Sequence, residues 1–94
     1  MELPEEIQRS IQQLAQEHKI HKVILFGSRA RGDNRERSDI DLAVQGGDIL
    51  HFTLDVEDKV PTLLFFDVVN LDEYVQPELL ESIQKEGKIL YEKV

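Results

Sequence analysis

Two aspartates and a Gly-Ser pair are the residues whose types and spacing best suit phosphate and metal chemistry. Ten residues separate Ser28 from Asp39, and Asp41 follows two positions later. On a strand, Asp39 and Asp41 would project from one face with anchor points about 6.6 Å apart. Carboxylates so placed hold hard cations, and two ions about 3.5–4 Å apart are a recurring device for displacement at phosphorus. Taken alone, the Asp-x-Asp pair fits a loop cap or a solvent-facing strand better.

The Gly27-Ser28 pair could bind the phosphate in such a site. Glycine lets the backbone approach a ligand closely, the amides at a helix start point at an anion, and a serine hydroxyl adds a hydrogen bond. A bare Gly-Ser is otherwise only a common turn. The pair therefore gains its meaning from the aspartates that follow it.

The same stretch excludes two other ligand-binding motifs. Residues 27–32 have the glycine spacing of a P-loop, but positions 33 and 34 hold Asp and Asn where Lys and Ser or Thr are required. Residues 33–38 fail as a calcium-binding loop, because Arg35 and Arg37 occupy positions that need oxygen ligands.

A third aspartate, Asp67, lies in the nearly continuous apolar run of residues 62–69. Such a run predicts a strand that is covered on both faces. An ionised carboxylate inside it is costly unless compensated, and a cation shared with Asp39 and Asp41 would provide the compensation. The alternative is a strand that ends near Phe66 and leaves Asp67 exposed or capping the next segment.

The distribution of charge indicates a small anionic ligand. The formal net charge of -8 argues against non-specific binding to duplex nucleic acid, which depends on cationic side chains. Within this acidic chain, residues 29–37 hold four of the five arginines, namely Arg29, Arg31, Arg35 and Arg37. A local cationic patch suits a nucleotide better than a long nucleic acid, although charge runs are more often solvated loops.

The elements that must position these residues follow from periodicity. Apolar residues at helical spacing predict a helix over residues 4–18, and β-forming residues predict strands over 22–26 and 39–44. The link between the two strands is short, and their ends must meet if they share a site, so they should run antiparallel. Ser28 is expected to cap a short helix that Gly32 ends.

The remaining segments complete an α+β pattern. Residues 49–60 fit a helix, 62–69 a strand, a segment opened by Pro77 and ended by Gly87 another helix, and 88–92 a short edge strand. The order of helices and strands predicts one small mixed β-sheet covered by helices.

Length and composition predict one folded domain over residues 1–94. The chain is 40% hydrophobic and 32% charged, and it lacks cysteine, which excludes disulfides and thiolate chemistry. No apolar run approaches the roughly 20 residues that span a bilayer, and the N-terminus is acidic, so we predict a cytoplasmic protein without membrane contact. The three histidines, His18, His21 and His51, fit surface positions better than a metal site.

Together, Gly27-Ser28, the ten-residue spacing, Asp39-x-Asp41 and a later third aspartate resemble the DNA polymerase β-type nucleotidyltransferase superfamily. More specifically, FGSRARG at residues 26–32 and SDIDLAV at 38–44 look like its minimal nucleotidyltransferase branch. Members of that branch are often encoded beside a HEPN-domain protein as a toxin–antitoxin pair. The resemblance is strong over residues 20–70 and implies a palm-like nucleotidyltransferase fold.

The resemblance implies a role for each of five site residues. Gly27 and Ser28 would hold the β- and γ-phosphates of a nucleoside triphosphate. Asp39 and Asp41 would bind two Mg²⁺ ions. Asp67 would bind the catalytic ion and help to activate the attacking hydroxyl.

Arg29 and Arg31, with Arg37 as a further candidate, would then neutralise the charge of the triphosphate. The implied reaction transfers AMP, with ATP as the expected donor, to a hydroxyl of a partner protein and releases pyrophosphate. The implied partner is a HEPN-domain toxin, which makes this chain an antitoxin and an adenylyltransferase.

The short chain supplies only the palm-like core, so a partner must bring the acceptor, and a homo- or hetero-oligomer is expected. Val75, Leu79 and Tyr91 are candidates for that contact. Two alternatives remain open: a nucleotide-binding module that neutralises its partner by occlusion without chemistry, and a small-molecule-modifying transferase, which would need a substrate domain that this chain lacks.

Overall fold

The computed structural model describes residues 3–94 and contains four helices and four strands in strict alternation within that range. The order confirms the α+β architecture predicted from the sequence. The elements are α1 (Glu5–Glu17), β1 (Lys22–Phe26), α2 (Ser28–Arg31), β2 (Ile40–Gln45), α3 (Ile49–Lys59), β3 (Phe66–Asn70), α4 (Pro77–Glu86) and β4 (Lys88–Glu92).

The four strands form one mixed sheet in the order β3-β2-β1-β4. β1 runs antiparallel to both β2 and β4, which confirms the predicted direction of the first two strands. β2 and β3 are parallel, and α3 supplies the crossover connection that such a pair requires. β3 and β4 are therefore the two edges of the sheet.

Helices cover the two faces of the sheet unequally. α1 buries Ile7, Ile11, Leu14 and Ala15, and with α3 it packs on the face that carries the main core. α4 covers the other face, where Ile83 packs with Phe26 and Ala43 in a smaller cluster. Because side chains alternate along a strand, the second face is also the face of Asp41.

α3 begins at a side-chain cap. The carboxylate of Asp48 accepts a hydrogen bond from the backbone N–H of His51, and Ile49, Phe52 and Val56 turn inward. Asp55 of α3 also bonds to His18 at the end of α1, with 2.7 Å between the carboxylate oxygen and Nε2. Capping and this bridge fix α3 against α1 on the main core.

The predicted strand over residues 62–69 is wrong in extent and in burial. β3 begins at Phe66 and lies at an edge of the sheet, Leu63 and Phe65 precede it with exposed side chains, and Asp67 is exposed although it lies within the strand. A continuous apolar run is compatible with a strand covered on both faces, but here part of the run lies outside the strand. No helix among residues 3–94 is long and apolar enough to cross a membrane.

Candidate active site

Gly27, Asp41 and Asp67 form a row: the two aspartates pair across β2 and β3, and Gly27 directly follows the end of β1. Phe26, the last residue of β1, pairs with Asp41 of β2, and Asp41 pairs with Asp67 of β3. Residues that are directly opposite in a sheet share one face, so the two carboxylates project to the same side. The structure thus brings together the Gly-Ser turn and two of the three predicted aspartates.

Gly27 is required at its position for two reasons. Its φ of 75° and ψ of -157° lie in a region that is essentially confined to glycine. A Cβ there would overlap Oδ2 of Asp41 and lie 3.1 Å from its Cγ. The backbone at the turn therefore lies against the carboxylate of Asp41. The predicted close approach of this glycine to a phosphate stays a prediction.

The short helix α2 begins one residue earlier than predicted. Gly27 is its N-cap, and Ser28 is its first residue and makes no side-chain cap bond. The carbonyl of Gly27 accepts hydrogen bonds from the amides of Ala30 and Arg31. Ser28 is half-buried at the start of this helix, beside Gly27 and hence near Asp41. Gly32 ends α2 in the left-handed conformation, as predicted.

The surroundings of Asp41 disfavour the ionised form of its carboxyl group. Partial burial raises its pKa above the ordinary value of 3.8, and the negative charges of Asp67 and Asp39 raise it further. The cation of Arg31 acts in the opposite direction. These influences show that Asp41 senses both other aspartates, so all three predicted carboxylates belong to one neighbourhood.

Asp67 is not buried, so the predicted cost of burying its carboxylate does not link it to the site. Asp39, which directly precedes β2, and Asp67, the second residue of β3, are both exposed. The predicted desolvation cost of Asp67 is therefore absent, and the alternative of an exposed side chain is correct. Register with Asp41 is what ties Asp67 to the site.

The carboxylates offer the right atoms for a hard cation but not a closed cage. Residues 3–94 contain no group of three or more histidine, cysteine, aspartate or glutamate side chains arranged to hold a metal ion. A divalent cation prefers oxygen ligands and neutralises carboxylate repulsion, so the donor set around Asp41 fits one. His18 and His51 instead pair with Asp55 and Asp48.

Arg29 is buried, with only 5% of its surface exposed, and holds the loop that leads to β2. Its Nε donates to the carbonyl of Ser38 at 3.0 Å, and a terminal nitrogen donates to that of Glu36 at 3.3 Å. Arg29 as a nucleotide ligand stays a prediction, since its guanidinium serves this loop. Support of the loop by Arg29 depends on the positions of loop carbonyls, which a sequence does not reveal.

Arg31 lies nearer to solvent and to the carboxylates. It donates to Asp33 at 3.0 Å and to Glu86 of α4 at 2.8 Å. These partners, Asp33 first and then Glu86, raise its pKa, so it remains a cation. Glu86 was not singled out from the sequence, because the contact joins elements 55 positions apart.

An exposed apolar pair beside the carboxylates was also missed. The backbone carbonyl of Phe65 accepts from the amide of Ile40 at 2.9 Å, which continues the β2–β3 pairing and brings Phe65 beside Asp39. The sequence carries no local signal for this exposed pair, because residues 63–66 are all apolar and show no alternation. Of the predicted partner-contact residues, Tyr91 packs against the main core, Val75 is half-buried, and Leu79 is exposed.

The mixed sheet covered by helices places the chain among the α+β proteins, with the glycine turn against Asp41 at its candidate site. The family model described as "Polymerase beta, Nucleotidyltransferase" matches residues 9–94. The chain therefore belongs to this family of enzymes. It is also 36% identical over 83 residues to a Methanocaldococcus jannaschii protein named "Putative protein adenylyltransferase", with 78% of this chain and 80% of that protein covered.

Solved structures share the fold. A chain of a crystal structure of a toxin–antitoxin with AMP-PNP has a TM-score of 0.72 and 25% identity, covering 92% of this chain and 73% of that one. A structure of a "putative minimal nucleotidyltransferase" has a TM-score of 0.67 and 30% identity, covering 86% of both chains. A complex of a tri-AMPylated Shewanella oneidensis HEPN toxin with an MNT antitoxin, at 22% identity, 93% and 71% coverage and a TM-score of 0.64, is similar in fold alone.

Proposed function

We propose that the protein is a Mg²⁺-dependent adenylyltransferase that moves AMP from ATP to a hydroxyl of a HEPN-domain partner and thereby acts as an antitoxin. The observation that carries the proposal is the row formed by Asp67 of β3, Asp41 of β2 and Gly27, which directly follows β1 and lies against Asp41. This row sets a phosphate-binding turn on one side of a carboxylate and a second carboxylate on the other. Carboxylates that can hold metal ions and a turn that can bind phosphates are parts that displacement at phosphorus uses.

The proposed reaction is an in-line displacement at the α-phosphorus of ATP. The acceptor oxygen forms a bond to that phosphorus while the bond to the oxygen bridging the β-phosphate breaks. The electron pair of the broken bond leaves with pyrophosphate. The proton of the acceptor hydroxyl passes to the carboxylate of Asp67, which is exposed and can meet an incoming group.

In this proposal the glycine end of the row binds phosphates and the aspartate end binds metal ions. Gly27 and Ser28 hold the β- and γ-phosphates, because the glycine lets the backbone come close and the serine adds a hydroxyl. Two Mg²⁺ ions held by Asp39, Asp41 and Asp67 would supply neutralisation of charge on the phosphates when bound. The raised pKa of Asp41 supports such a partner, since a cation relieves the repulsion among the three carboxylates.

The arginines divide into two roles in this proposal. Arg31 contributes positive charge near the triphosphate, because its charge already acts on Asp41. Arg29 acts indirectly, by fixing residues 36–38 ahead of Asp39. Arg37 remains a candidate for contact with the nucleotide.

The relatives support the donor and the partner. The Methanocaldococcus jannaschii protein is named for adenylyl transfer to protein, and one similar structure pairs a toxin and antitoxin with AMP-PNP, an ATP analogue. A second candidate function is neutralisation by occlusion. The exposed apolar side chains Leu63 and Phe65 favour it, since binding through such a surface needs no chemistry.

The deciding experiment incubates the protein with α-labelled ATP, Mg²⁺ and the product of the neighbouring gene, tested as the HEPN-domain partner. We expect label on the partner with the wild type and none with Asp39→Asn or Asp41→Asn. Asp58→Asn, an exposed carboxylate of α3, is the matched control. Transfer that persists in both site variants would refute the mechanism, whereas partner inhibition by those variants without transfer would favour occlusion.

A further inference from the structure

We propose that Leu63 and Phe65, named here the β3 ledge, dock the acceptor protein by taking up an apolar side chain that flanks the hydroxyl to be modified. This inference rests on the proposed function and deepens it by identifying the surface over which the acceptor arrives.

The ledge adjoins the carboxylates. Phe65 is two residues before Asp67, and its carbonyl bonds to the amide of Ile40, so the extended pairing reaches Asp39. Residues two apart on an extended chain project to the same side. Phe65 therefore shares the face of Asp67 and lies next to Asp39.

The ledge separates two open grooves. One, of about 390 Å³, lies between residues 63–65 and the loop residues Glu36 and Arg37. The other, of about 380 Å³, is lined by residues 62–66 and Glu57 of α3. Phe65 is 78% exposed and Leu63 is fully exposed, which is unusual for two large apolar side chains beside a charged site. The grooves give a partner side chain a place to enter on either side of the ledge.

The direction of the displacement assigns this surface to the acceptor. Pyrophosphate leaves toward Gly27 and Ser28, at the β1 end of the row. An in-line attack brings the acceptor oxygen from the opposite side of phosphorus, which is the β3 side. β3 is an edge strand with no further strand beyond it, so a partner can reach Asp67 across the ledge.

The chemistry of the surface favours a protein as its occupant. A nucleic-acid acceptor would meet a chain of net charge -8 and an aspartate cluster. An exposed leucine and phenylalanine bury apolar area instead, as the centre of a protein interface does. A nucleobase stacked on Phe65 is the competing occupant, and the experiment separates it from a protein.

The test compares Leu63→Ser and Phe65→Ser with Ile89→Ser. Ile89 lies on β4, at the opposite edge of the sheet, and is 52% exposed, so it controls for losing one exposed apolar side chain. Affinity for the same candidate partner, the product of the neighbouring gene, is measured by calorimetry in an Asp41→Asn background, which separates docking from chemistry. AMP transfer and ATP affinity are measured in parallel on the same variants with Asp41 unchanged.

We expect each ledge variant to weaken binding of the HEPN protein at least about tenfold. The KM for the HEPN protein as acceptor should rise by a similar factor. ATP affinity should stay within about twofold of wild type. Ile89→Ser should change neither. If the wild type binds but transfers no AMP, the proposed function fails while the binding data still support the ledge.

Four results would overturn the ledge: no binding of the HEPN protein at all, unchanged affinity in both ledge variants, an equal loss in Ile89→Ser, or a tenfold loss of ATP affinity, which would identify a nucleobase site. Sedimentation of the protein alone gives one further check. A dimer that only the ledge variants dissociate would assign the surface to a second copy of this chain and likewise refute the proposal.

Discussion

Asp41 and Asp67 lie directly opposite each other on neighbouring parallel strands, with both carboxylates on the same face of the sheet. The arrangement opposes stability, because two like charges meet where one of them is partly buried. The fold tolerates this repulsion at its candidate active site. Stability and activity should therefore respond in opposite directions when the charge is removed.

Asp41→Asn should lower AMP transfer by at least about a hundredfold, because it removes a proposed metal ligand. It should also raise the melting temperature near pH 7. The pKa of Asp41 is raised, so the folded state gains stability from its protonated form below about pH 3.8 and loses it as pH rises through the raised pKa. The advantage of the asparagine variant should therefore vanish in acid. Thermal melts from pH 3 to 8 measure this, with Asp58→Asn as control.

Asp55→Asn should show the opposite pH dependence. The hydrogen bond from His18, and then the charge and hydrogen bond of Lys59, lower the pKa of Asp55. Its ionised form stabilises the fold above pH 3.8, and this contribution is lost as pH falls through the lowered pKa. The variant should melt at a lower temperature than wild type near pH 7 and match it in strong acid. A stability gap that persists unchanged at low pH would contradict this account.

Gly27→Ala should impair both folding and nucleotide binding. The backbone conformation alone costs about 1–3 kcal/mol for a residue with a Cβ, and the added methyl displaces Asp41. We expect ATP affinity, measured by calorimetry, to fall at least about tenfold. Gly32→Ala is the matched control: its φ is also positive, at 85°, but an added Cβ meets nothing within 4 Å. Gly32→Ala should cost about 1–2 kcal/mol and leave ATP affinity unchanged; equal loss of affinity in both would contradict the argument.

Arg29→Met should destabilise the protein by about 1.5–3 kcal/mol, because it removes the charged donor of two part-buried hydrogen bonds to loop carbonyls. Amide hydrogen exchange should accelerate in residues 33–38. Arg31→Met provides the comparison, since Arg31 is more exposed. Because Arg31 contacts only Asp33 of the loop, its replacement should leave exchange in residues 36–38 unchanged and weaken ATP binding. If Arg29→Met weakened ATP binding without loosening the loop, Arg29 would be a direct ligand.

Local patterns predicted most of the scaffold. The local pattern of apolar residues reflects which side chains are buried in α1, β1 and β2. The observed bounds of these elements therefore agree with the predicted ones to within one or two residues. The short link through Gly27 and Gly32 also determined that β1 and β2 are antiparallel. Local chemistry decides these features.

The errors concern relationships between distant segments. The apolar run ending in β3 does not reveal that the strand is at an edge, so the exposure of Phe65 was missed and that of Asp67 was only one of two alternatives. The burial of Arg29 depends on where the carbonyls of Glu36 and Ser38 come to lie. An arginine that binds its own loop and one that binds a phosphate have the same sequence context.

The position of β1 between β2 and β4 has a consequence for synthesis on the ribosome. β1 can pair with β2 early, because the two are separated by 13 residues, but its other neighbour lies more than 60 residues further along the chain. Until β4 emerges, one side of β1 presents unpaired amides and carbonyls, which attract other nascent strands. The site-bearing half of the sheet can thus form cotranslationally, and the sheet is protected from misassembly only when β4 docks.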